Sequence, residues 1–123
     1  MSNFYNALSA LNTFWNSFEV PAYEVATIPE DVEMPYITYE GSVDNFGNEI
    51  ATNVNLYYKG KSWKAITQKL DEIDDAISDG VYVNFGNKKS LLIRKANPFA
   101  QPVPEDDEQV RRYILNLTYE YII

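Results

Sequence analysis

The stretch that decides the fold is QVRRYILNLTYEYII, residues 109–123. It alternates along its whole length. Tyr113, Leu115, Leu117, Tyr119, Tyr121 and Ile123 fall on one side, and Arg112, Ile114, Asn116, Thr118, Glu120 and Ile122 on the other. A period of two rich in β-branched and aromatic residues predicts a long strand with one core face and one wetter face. The rest of the chain must supply its neighbours in the sheet and a cover for its apolar side.

Working outward, residues 81–85 and 90–96 read as two strands joined across Gly86-Asn87, a turn signal. Between the second of these and the closing strand lies NPFAQPVPEDD, residues 97–107. Its three prolines predict an irregular loop rather than helix or central strand. Further upstream, residues 35–40 and 52–59 read as strands separated by a polar stretch, residues 41–50, which forms a hairpin tip. Residues 22–27 make a further short strand.

Two segments carry helical spacing. Phe4, Leu8, Leu11 and Trp15 form one apolar stripe, capped by Ser2 or Asn3 and ended near Ser17 ahead of Pro21. Trp63, Ile66, Leu70, Ile73 and Ile77 form the other, capped by Ser62 and closed by Gly80. These elements predict one α+β domain over residues 1–123. Its two amphipathic helices pack on one face of a mostly antiparallel sheet, in the order helix–strands–helix–strands.

The composition narrows the chemistry. The 123 residues contain no cysteine and no histidine. That removes thiolate nucleophiles, the usual transition-metal ligands and the commonest general base. Carboxylates remain. The run Glu105, Asp106, Asp107, Glu108 lacks the glycine-punctuated spacing of a calcium loop, and the segment Asp44 to Glu49 has its glycine at the wrong offset. Asp71 and Asp75 lie one helical turn apart, but no histidine completes a ligand set. GKS at 60–62 lacks the upstream glycine of a phosphate loop. The expectation is a protein that is no enzyme and carries no cofactor or metal.

A net charge of −8 argues against nucleic-acid recognition. No segment has the length and apolarity of a membrane span, and the N-terminus does not read as a signal peptide, so a cytosolic site of synthesis and use is expected. Contact with other proteins is the reading that remains. The candidate interface residues are Phe46 and Phe99, single apolar anchors in the two irregular loops; Asp71 and Asp75, acids placed late on the second helix against its dipole; and the basic pair Arg111 and Arg112.

Three segments together resemble tail terminator proteins of long-tailed bacteriophages, also called tail completion or minor capsid proteins. They are PYITYEG at 35–41, NVNLYYKG at 53–60 and SWKAITQKLDEIDDAI at 62–77. The resemblance is one of pattern and element order across nearly the whole chain. It implies a homo-oligomeric ring, typically a hexamer, seated on the last ring of the tail tube. Its partners would be the tube protein and the head–tail connector, with assembly in the host cytoplasm and a final place in the virion at the tail–head junction. It implies no catalytic residues. Another neck or tail-tube component, a small non-viral adaptor domain and a hydrolase working through carboxylates alone are the alternatives.

Overall fold

The closing strand is the spine of the sheet. A computed structural model describes residues 3–41 and 46–123. Within it, Val110–Ile122 forms strand β6, which pairs antiparallel with Glu49–Lys59 (β3) on one side and Lys89–Val103 (β5) on the other. Tyr36–Tyr39 (β2) continues the sheet beyond β3, and Ala22–Glu24 (β1) lies parallel to β2 at that edge. Val81–Gly86 (β4) flanks β5 at the opposite edge. The order is β1-β2-β3-β6-β5-β4. The helices are Asn3–Asn16 (α1) and Lys64–Ile77 (α2).

This corrects the architecture expected from the sequence. In place of two helices laid on one face of a sheet in a helix–strands–helix–strands scheme, the described residues form a mixed sheet curled into a half-barrel, 44 % strand with two α-helices. A 3₁₀ turn, Val25–Thr27, interrupts what reads in sequence as one short strand, and it turns the chain so that β1 and β2 run parallel. Strand length supplies the curl. β3, β6 and β5 are 11, 13 and 15 residues long, so the right-handed twist of each strand accumulates instead of averaging out.

The second correction concerns the proline-rich segment. β5 runs through it to Val103, and Ala100, Gln101, Pro102 and Val103 pair with Leu115, Ile114, Tyr113 and Arg112. A register shift between Lys95 and Ala100 absorbs the extra residues. β4 pairs with β5 no further than Ile93, so Pro98 and Pro102 stand on an open edge, where a missing N–H breaks no ladder.

One core joins both helices to the sheet. Ala7, Leu11 and Trp15 of α1 meet Ile66, Ile73 and Ile77 of α2 over Val54, Leu56, Leu91, Ile93, Leu115, Leu117, Tyr119 and Tyr121. The buried face of α1 is therefore rotated from the expected stripe, leaving Phe4 and Leu8 exposed. Small Ala7 lets the helix approach, and the Trp15 indole donates to the Tyr119 hydroxyl at 2.9 Å. Trp63 does not join the core either. It precedes α2, is 39 % exposed, and meets the Tyr113 ring edge-on at 5.6 Å. Ser62 does act at this end, its Oγ accepting from the Lys64 amide at 3.1 Å. Ser2, one of the two expected caps of α1, lies outside the described residues. The side chain of Lys69 reaches back to donate to the Phe18 carbonyl at 2.7 Å, tying α2 to the segment after α1.

Two tyrosines side by side in β6 should respond oppositely to loss of a hydroxyl. The Tyr121 hydroxyl is buried with no hydrogen-bond partner among the described residues, whereas that of Tyr119 satisfies Trp15. Tyr119→Phe orphans the indole N–H and should cost about 1–3 kcal/mol, while Tyr121→Phe should be neutral or slightly stabilising. Chemical denaturation of the two variants measures the difference.

Burial pushes the Tyr121 phenol up to about 12 from its ordinary 10.0. It pushes Tyr119 up further still, against the opposing hydrogen bond from Trp15. A phenol whose folded value is raised holds its stabilisation in full below its unfolded value and loses it as pH climbs through the folded one. The melting temperature should therefore hold up to about pH 10 and fall between about pH 10 and 12. An alkaline series of thermal melts, compared with that of Tyr121→Phe, tests the assignment.

Candidate interaction site

The six residues expected at an interface are not brought together. Phe46 folds back onto the domain, its ring edge-on to Phe4 at 5.0 Å and to Tyr121 at 6.2 Å. The adjoining tip, residues 42–45, lies outside the described residues, and with it the start of the loose calcium-loop match at Asp44. Phe99 is also half-buried and packs on the core, with the Lys95 ammonium 5.5 Å from its ring centre. Lys95 in turn pairs with Asp74 of α2 at 2.6 Å. Neither phenylalanine is an exposed tip.

Asp71 and Asp75 are exposed on α2, and among the described residues no ion pair or hydrogen bond engages them. The acids beside them are engaged: Glu72 with Lys69 at 2.7 Å and Asp74 with Lys95. Arg111 and Arg112 are adjacent in β6 and so point to opposite faces of the sheet. Arg111 lies over the Trp63 ring at 5.0 Å and donates through Nε to the Lys61 carbonyl at 2.9 Å. Arg112 lies over the Tyr57 ring at 5.5 Å, donates to Asn55 Oδ1 at 2.9 Å and pairs with Glu105 at 3.4 Å. The acidic run 105–108 is likewise spread over separate partners. Glu108 approaches Lys61 at 3.8 Å, and Asp107 accepts from the Gln109 amide at 2.8 Å. Among the described residues no three acidic side chains converge as a cation site would require.

A first surface, not foreseen from the residues, runs across the face of the sheet turned away from the helices. Register places Tyr36 beside Tyr57, Tyr57 beside Arg112 and Arg112 beside Val103. The Tyr36 and Tyr57 rings stack at 4.7 Å, and Tyr23 joins Tyr36 edge-on at 6.4 Å. The Tyr36 phenol is raised from its ordinary value, first by burial and then by Tyr57 and Glu105, with Arg112 opposing. The alternation of residues 52–59 places Tyr57 on this face. Its neighbours across three other strands depend on strand order, which no local pattern contains.

A second surface is defined by what it lacks. The chain is 23 % charged, yet its first charged side chain is Glu19, and β4 has none. α1 and β4 lie side by side, so the two uncharged elements make one flank, at whose end the Lys89 ammonium donates to Asn3 Oδ1 of α1 at 2.8 Å. A groove between them is lined by Asn6, Ser9, Ala10 and Thr13 on one side and Val83 and Phe85 on the other. Phe4, Tyr5 and Tyr82 stand out of this flank at 52, 71 and 63 % exposure. A surface helix ordinarily carries charge on its outer face, whereas the centres of protein interfaces are depleted of charge and enriched in aromatics.

Comparison with protein-family models, with curated proteins and with solved structures finds no match to this chain. Among the described residues no helix is long and apolar enough to cross a membrane.

The position of Phe99 changes what its replacement should do. Phe99→Asp sets a carboxylate against the core and should cost about 2–3 kcal/mol of stability. By contrast Trp63→Ala, at an exposed site, should cost less than about 1.5 kcal/mol. Denaturant titration of both variants checks that ranking.

Proposed function

We propose that this chain is a structural subunit that forms a ring on the end of a long-tailed bacteriophage's tail tube. There it ends tube growth and joins the tail to the head. The observation that carries the reading is the flank of α1 and β4, two elements with no charged residue of their own in an acidic chain. Such a surface suits association with protein and offers little to a charged small molecule or a phosphate backbone. A closed ring requires two unlike patches, so that one subunit's first meets the next subunit's second. The flank of α1 and β4 and the tyrosine–arginine face of the sheet are unlike in this sense, one made of elements without charged residues and the other built around Arg112 and Glu105. The pattern of residues 35–41, 53–60 and 62–77 supports the tail terminator among ring proteins, with the tube protein and the head–tail connector as partners and the tail–head junction as location.

Electron microscopy of phage particles assembled without the protein tests this directly. Overlong tubes without heads are the expected outcome. Tubes of normal length that lack heads would move the role to the connector side of the joint, and normal infectious particles would sink the proposal.

A further inference from the structure

We draw no further inference here: the strongest candidate, the groove between α1 and β4 with the exposed rings of Phe4, Tyr5 and Tyr82 on its flank, belongs to the surface already described, and nothing in the structure shows what covers it.

Discussion

The hydrogen bond from the Trp15 indole to the Tyr119 hydroxyl holds the rest of the arrangement in place. It joins residues 104 apart in sequence and lies wholly inside the core at 2.9 Å. A buried donor without its acceptor is costly, so α1 has little freedom to rotate about its own axis once the indole is inside. With Trp15 fixed, Leu11 and Ala7 follow onto the sheet, and Phe4, Tyr5 and Leu8 are turned outward. The contact is thus a packing constraint that also determines which side of α1 faces solvent. That side is the uncharged one.

The same core sets the shape of the sheet. β6 lies between β3 and β5, and all three strands are long enough to twist appreciably. The inner row Leu115, Leu117, Tyr119 and Tyr121 is buried beneath the helices, while the outer row is held by side-chain pairs. There Arg112 links Tyr57, Asn55 and Glu105, and Asn116 donates to the Pro98 carbonyl and to Gln101, bridging the irregular part of β5 to its neighbour. These bonds explain how a segment with two prolines stays in a sheet. The ladder is kept on the β6 side, and the missing N–H groups fall on the edge that β4 leaves open.

Much of the element pattern was legible because it is local. The alternation of residues 109–123 identifies the strand and its buried face, and the breaks at Gly60 and Gly80 bracket the second helix. The misreadings have physical causes. Trp63 continues the helical spacing of its segment but precedes the first turn of α2, so its ring rests on Tyr113 and under Arg111 instead of entering the core. Phe46 and Phe99 sit in turn-rich stretches that suggest exposed tips, yet each is folded onto apolar partners supplied by distant segments. The parallel placement of β1 depends on how the chain turns after Glu24, whose carboxylate accepts from the Ala26 and Gly41 amides at 2.9 and 3.3 Å.

By itself the sequence determined the alternating and helical segments, the acidic charge and the absence of histidine and cysteine, because each is a property of composition or of short-range spacing. Tertiary structure alone decided that α1 and β4, two elements without charged residues, lie side by side, that β4 ends at the sheet's edge beside α1, and that Arg111 and Arg112 make different contacts. Each of these depends on which strands become neighbours in the curled sheet. That order is set by the burial of side chains far apart in the chain, and no local window contains it.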